Sequence, residues 1–271
     1  MAEKHLIALD LDGTLLKDDK TISEKTKKVL SKAREEGHVV MIATGRPYRS
    51  SEPYYHELGL DTPIVNFNGA FMHHPLDASW GHFHAPLDVK VAKEIVEACR
   101  SFHFYNIIAE VIDDVYFHYH DEKLLDIFSM GNPNVTTGDL RNYLNDSPTS
   151  LLIHTEEEEL KNIRKHLSDV HAEVIDHRSW AAPWHVIEII KTGISKAVGL
   201  KKASEYFNIP AERIIAFGDE DNDLEMLEYA GRGIAMGNAI DKVKTIANEV
   251  TLTNEEDGIG IYLSDLLNLK Y

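Results

Sequence analysis

Four short apolar runs stand out along the chain: His5-Leu6-Ile7-Ala8-Leu9, Val39-Val40-Met41-Ile42-Ala43, Ile64-Val65-Asn66-Phe67 and Arg213-Ile214-Ile215-Ala216-Phe217. Each is continuous, without the alternation of a half-exposed strand, and each is bounded by turn residues. That pattern predicts buried strands of a parallel sheet. Between the first two, polar and apolar positions follow a helical period from about Ser23 to Glu36, and Gly37 stops the helix. A further helix is expected from Lys196 to Phe207, with Ser195 as its N-cap. The expected fold class is therefore α/β, a Rossmann-like parallel-sheet core with helices on both faces.

The stretch from about His82 to Glu188 reads differently. Helices are expected at 87–102 and 156–169, with strands near 105–111, 115–119, 150–154, 172–177 and 185–190. This α+β pattern predicts an inserted domain at 82–188, dividing a discontinuous core of 1–81 and 189–271, with hinges near Gly81–Pro86 and Lys191–Gly193.

Two of the apolar runs end in acidic clusters, Asp10-Leu11-Asp12-Gly13-Thr14 and Gly218-Asp219-Glu220-Asp221-Asn222-Asp223. In an open α/β sheet ligands bind beyond the carboxyl ends of the strands, so the two clusters should converge. Residues two apart in an extended segment face one side, which lets Asp10 and Asp12 reach a shared point. Gly13 permits a tight turn that presents backbone N–H groups to an anion. A hard cation such as Mg²⁺ takes oxygen ligands and commonly bridges carboxylates to a phosphate, with Asp219 as a third carboxylate. A calcium loop is the competing reading, because Asp219, Asp221 and Asp223 occupy loop positions one, three and five. It fails where Gly and Glu are required, at Leu224 and Ala230.

Two more signals lie between the clusters. The second apolar run ends in Thr44-Gly45-Arg46-Pro47, a hydroxyl before a turn and a helix start, and Gly193-Ile194-Ser195-Lys196 supplies a cation at another helix start. In chain order, Asp-x-Asp-Gly-Thr, Thr-Gly-Arg, Ser-Lys and Gly-Asp-x-x-Asn-Asp resemble the four motifs of the haloacid dehalogenase-like phosphohydrolases. Asn68-Gly69-Ala70 and Gly218–Leu227 resemble their Cof-type branch, and the insert resembles its type-two cap.

The resemblance implies a Mg²⁺-dependent phosphatase. It makes Asp10 the nucleophile that forms an aspartyl-phosphate and Asp12 the general acid and base. Thr44 and Lys196 would hold the phosphoryl oxygens and Asn222 would orient the phosphate, with Leu11 and Gly45 in the same phosphate-binding set. Asp10, the backbone carbonyl of Asp12 and Asp219 would bind Mg²⁺, with Asp223 as ligand or support. Asp12 must carry a proton for part of the cycle; neighbouring carboxylates would raise its pKa and a metal would lower it. Ala197 stands where the family often has Gly, a departure confined to the helix entry. Expected substrates are small phosphorylated metabolites, either sugar phosphates or flavins and their ribitylaminouracil precursor. A sugar-phosphate mutase or other phosphotransferase, and a non-enzymatic phospho-acceptor module, are the alternatives.

Composition narrows the classes. The net charge of −17 opposes nucleic-acid binding, which needs clustered Lys and Arg. A single Cys99 excludes an intrachain disulfide framework, and neither a signal-peptide core nor a membrane span is evident, so a cytoplasmic enzyme is expected. His118 and His120 stand two apart without companion ligands, which argues against a second metal site. Glu156–Glu159 is expected to be an acidic helix start, and Tyr116, Phe117, Tyr119, Trp180 and Trp184 to pack in the core.

Overall fold

The computed structural model describes residues 3–171, 175–180 and 185–270, and the chain divides into two compact units. The first comprises Met1–Arg46, Ser51–His82 and Ser195–Tyr271, the second Pro47–Ser50 and Phe83–Ile194. The chain begins with β1 (Leu6–Leu9), α1 (Glu24–Glu35), β2 (Val39–Ile42), α2 (Tyr48–Glu57), β3 (Ile64–Asn66) and β4 (Phe71–His73), and β5 (His82–His84) leads into the second unit. That unit runs through α3 (Val89–Cys99), β6 (Phe104–Val111), β7 (Asp114–Phe117), α4 (Glu122–Phe128), β8 (Val135–Thr137), α5 (Leu140–Tyr143), β9 (Ser150–Thr155), α6 (Glu157–His171), β10 (Ile175–Trp180) and β11 (Val186–Lys191). The chain then returns through α7 (Lys196–Phe207), β12 (Ile214–Gly218), α8 (Leu224–Tyr229), β13 (Arg232–Ala235), α9 (Asp241–Ile246), β14 (Glu249–Val250) and α10 (Gly258–Leu267).

The first unit is built on a five-stranded parallel sheet in the order β14-β13-β12-β1-β2. Every residue of β1, β2 and β12 is buried, as their unbroken apolar runs require. Register brings Leu9 level with both Phe217 and Ile42, so the loops that begin at Asp10, Gly218 and Ala43 leave the sheet along one edge. The run at Ile64–Phe67 departs from expectation. It forms a short antiparallel pair with β4 and joins the edge of the main sheet through a parallel bridge of Val65 to Ala43, with Thr44 N–H donating to the Val65 carbonyl. Phe67 and Asn68 both have positive φ, and the chain reverses there from β3 into β4.

α1 starts and stops where the sequence indicates, with the Ser23 hydroxyl accepting from Thr26 N–H and Gly37 at φ 93° just beyond its end. Ser195 precedes α7 as expected, but its side chain makes no capping hydrogen bond. In the second unit α3 starts later than expected because Asp88 caps it, accepting from Lys90 and Val91, and it ends at Cys99 with Arg100 as its C-cap. α4, β8 and α5 were not foreseen; they are short elements of 7, 3 and 4 residues, too brief to show a period.

The second unit holds a six-stranded sheet in the order β10-β11-β9-β6-β7-β8. Ile107, Ala109, Leu151, Ile153, Ile187 and Ile189 pack with α3, α5 and α6. Ile108, Phe117, Leu152 and Val186, on alternate positions, pack with Leu124 and Phe128 of α4. Phe117 is therefore core, Tyr116 is partly buried, and Tyr119 is half-exposed and stacked on Phe104. The side chain of Trp180 and all of Trp184 lie outside the described residues. His118 is buried and accepts from Leu140 N–H through Nδ1, a structural bond, while Glu157, Glu158 and Glu159 open α6.

Polar burial in this unit centres on Glu110. Arg49 Nη2 donates to it at 2.5 Å and Ser150 Oγ at 3.2 Å, and both charged side chains are nearly inaccessible. Burial chiefly, with the Asp113 charge adding to it, pushes the Glu110 carboxyl upward, and the Arg49 guanidinium opposes the shift. Removing one partner strands the other charge. Arg49→Met should lower unfolding free energy by about 3 kcal/mol, and adding Glu110→Leu should restore most of it. Denaturant unfolding checks this; a double variant no more stable than the single would contradict it.

Candidate active site

The turn after β1 is made by the backbone. Leu11 carbonyl accepts from Thr14 and Leu16 N–H, and Asp10 carbonyl accepts from Leu15 N–H. Gly13 sits at φ 74°, and a Cβ there would lie 2.2 Å from Asp219 Oδ2. Only glycine therefore admits the Asp219 carboxylate against this turn. Leu11 itself points into the core and is fully buried, so its main chain is all it can offer a phosphate.

Asp10, Asp219 and Asp223 come together. Each offers a carboxylate oxygen within 4.8 Å of the other two, and all three side chains are buried. Lys196, with no exposure at all, donates to Asp10 Oδ1 at 2.5 Å and to Asp223 Oδ1 at 2.7 Å. The other oxygen of Asp223 accepts from the N–H groups of Asp219 and Glu220, and Thr14 Oγ1 donates to Asp219 at 2.8 Å. Burial disfavours the Lys196 ammonium, but Asp10 and Asp223 outweigh it and raise its pKa. Burial lifts Asp10 well above the usual carboxylate range against the pull of Lys196. Asp219 is pushed up to about 7, by burial first and then by the Asp223 charge.

Asp12 stands apart from this cluster. Its carboxylate accepts from Arg46 Nε and Nη2 at 2.6 and 2.7 Å and from Lys20 Nζ at 2.8 Å. Partial burial raises its pKa, but these hydrogen bonds and charges prevail and bring it down to about 2. Two cations that the sequence did not assign to the site, Arg46 and Lys20, thus dominate the Asp12 carboxylate here. The Arg of Thr-Gly-Arg was the available signal for Arg46. Lys20, eight positions beyond Asp12, gave none.

The remaining expected residues line one loop system. Thr44 is buried and its hydroxyl accepts from Arg46 N–H, which leaves the hydroxyl proton to donate. Asn222 donates to Asn68 Oδ1 at 2.9 Å, and Asn68 is itself buried, in the left-handed region at φ 52°. Gly45 packs on that side chain; a Cβ would approach Asn68 Oδ1 to 3.1 Å. Asn68 therefore braces both Gly45 and Asn222, a role that proximity in sequence does not reveal.

A nucleophile-like carboxylate on a buried lysine, three converging aspartates and a separate carboxylate in cationic hands are the parts of a phosphate-handling centre. The sequence profile of the haloacid dehalogenase-like hydrolases matches residues 7–263. The chain belongs to that family. It is 63% identical, over 98% of both chains, to the 5-amino-6-(5-phospho-D-ribitylamino)uracil phosphatase YitU of Bacillus subtilis. It is 31% identical to the pyridoxal phosphate phosphatase YbhA of Escherichia coli, across 96% of this chain and 97% of the relative. Among solved structures, a haloacid dehalogenase-like hydrolase from B. subtilis superposes with a TM-score of 0.82 at 29% identity, covering 97% of this chain and 99% of that one. The chain is a Cof-type haloacid dehalogenase-like phosphatase, a phosphoric monoester hydrolase. Among the described residues no helix is long and apolar enough to cross a membrane.

Phosphatases of this family generally use Mg²⁺. The donor set here suits such an ion: three buried carboxylates face one ammonium, so the cluster carries excess negative charge and offers only hard oxygen ligands. Cation binding must displace the proton that the raised pKa of Asp219 retains. Mg²⁺ affinity should therefore weaken as pH falls through about 7, where protons return to the carboxylates that hold it, and binding should release protons. Calorimetry in two buffers of different ionisation enthalpy measures both affinity and proton release; a pH-independent affinity would contradict the assignment.

Proposed function

We propose that this phosphatase acts through Asp10 and Asp12 on a phosphorylated ribitylaminouracil, 5-amino-6-(5-phospho-D-ribitylamino)uracil. The observation that carries the substrate is the 63% identity along nearly the whole chain to a relative named for that activity. Two further relatives named for it, YwtE and YcsE of B. subtilis, are 31% and 30% identical.

The site geometry supports the following chemistry. An oxygen of Asp10 attacks phosphorus; the O–P bond forms as the ester P–O bond breaks, and the departing alkoxide takes a proton from Asp12. Water then attacks the aspartyl-phosphate and gives a proton to Asp12, and cleavage of the aspartyl O–P bond releases phosphate and restores the carboxylate. Held by Arg46 and Lys20, Asp12 starts ionised, the state that accepts the proton of the attacking water; to supply the alkoxide it must first take up a proton against the stabilisation those two cations give its charge. Lys196 fixes Asp10 and neutralises charge, while the Thr44 hydroxyl and main-chain groups of Leu11 and Gly45 receive phosphoryl oxygens, with Asn222 orienting them. Mg²⁺, held by Asp10, the Asp12 carbonyl, Asp219 and Asp223, would supply further stabilisation of the phosphoryl charge.

Residues 82–188 serve in this reading as a cap that excludes water and selects the leaving group, with the core at 1–81 and 189–271 supplying the chemistry. The enzyme works on a small metabolite in the cytoplasm.

Phosphate release with Mg²⁺ across a panel of hexose phosphates, pyridoxal phosphate, FMN and the ribitylaminouracil phosphate tests the proposal. The last should give the highest kcat/KM, and a hexose phosphate at the head of the panel would overturn the substrate. Asp10→Asn should lower turnover on the order of 10⁴-fold or more while retaining the fold. Stable phosphorylation of the wild-type protein by acetyl phosphate without turnover would indicate a phospho-acceptor instead.

A further inference from the structure

Both oxygens of Asp12 are engaged by one planar donor. Arg46 Nε reaches Oδ2 and Nη2 reaches Oδ1, a fork that fixes the plane and direction of the carboxylate as a point charge does not. Lys20 adds a single contact and is half-exposed, whereas the Arg46 side chain is only 18% exposed. The arginine is also rigidly mounted. Its N–H donates to Thr44 Oγ1, its carbonyl accepts from Asn66 Nδ2 at 3.0 Å and Phe67 N–H at 3.2 Å, and its guanidinium lies 5.4 Å from the Tyr54 ring centre. The loop that carries Thr44 thus also dictates where Asp12 points.

We propose that Arg46 is a positioning residue: its guanidinium fork aims the Asp12 carboxylate for proton transfer and does not itself touch the reacting atoms. The inference rests on the reading of Asp12 as the proton-transfer group. Two other roles predict different kinetics. A staple between the loops after β1 and β2 would affect stability alone, and a direct phosphate contact would affect every substrate equally.

2,4-Dinitrophenyl phosphate separates them, because its phenolate leaves without a proton. Attack by Asp10 expels dinitrophenolate with the bonding electron pair, independently of Asp12; only the later attack of water, whose proton goes to Asp12, needs the aimed carboxylate. With this substrate and Mg²⁺, Arg46→Ala and Arg46→Lys should each lower kcat roughly 10- to 100-fold, leave kcat/KM within about 3-fold, and show a burst near one dinitrophenolate per protein. With an alkyl phosphomonoester both constants should fall. In an Asp12→Asn background, Arg46→Ala should cost no more than about 2-fold further, because its effect passes through Asp12.

The burst counts folded, competent sites. Should Arg46→Ala fail to fold, Arg46→Lys, which keeps the cation, carries the test. Losses that add in the double variant, a parallel fall of kcat and kcat/KM with dinitrophenyl phosphate, or unchanged kcat in a variant that bursts fully would each overturn the proposal. Full kcat in Asp12→Asn would instead remove the acid–base reading on which it stands.

Discussion

A fully buried ammonium shared by two buried carboxylates holds the catalytic unit together. Lys196 has no contact with solvent, and its charge is tolerable only because Asp10 and Asp223 accept from it at 2.5 and 2.7 Å. Those three residues come from the end of β1, the start of α7 and the turn after β12, so one electrostatic requirement ties three segments into a fixed arrangement. The turn after β12 is fixed in the same step, since the second oxygen of Asp223 holds the Asp219 and Glu220 N–H groups.

The same cluster is left deliberately unbalanced. One lysine does not neutralise three aspartates, and burial first, with the neighbouring carboxylates adding to it, raises the pKa values of Asp10 and Asp219. A divalent cation would relieve that surplus of negative charge and offer a phosphoryl group positive charge, in a chain whose overall charge of −17 would otherwise repel it. Asp12 is kept out of this balance. Two residues after Asp10 in sequence, it answers to Arg46 and Lys20, so the two carboxylates take opposite pKa shifts.

The sequence by itself determined the parallel-sheet core, because fully buried strands must be continuously apolar and Leu6–Leu9, Val39–Ile42 and Ile214–Gly218 are. It also marked Asp10, Asp12, Thr44, Lys196, Asp219, Asn222 and Asp223, since phosphate chemistry demands those residue types and their order is specific. Ser23 and Gly37 fixed α1 for the same reason: caps are local and written in neighbouring residues. Tertiary structure alone decided what depends on distant side chains meeting. The pairing of Asp12 with Arg46, 34 positions away, and the bracing of Asn222 by Asn68, 154 away, have no periodic or spacing signature. Local pattern records burial and capping, which each residue feels through its near neighbours. Electrostatic partnership is set by where the folded chain brings charges together.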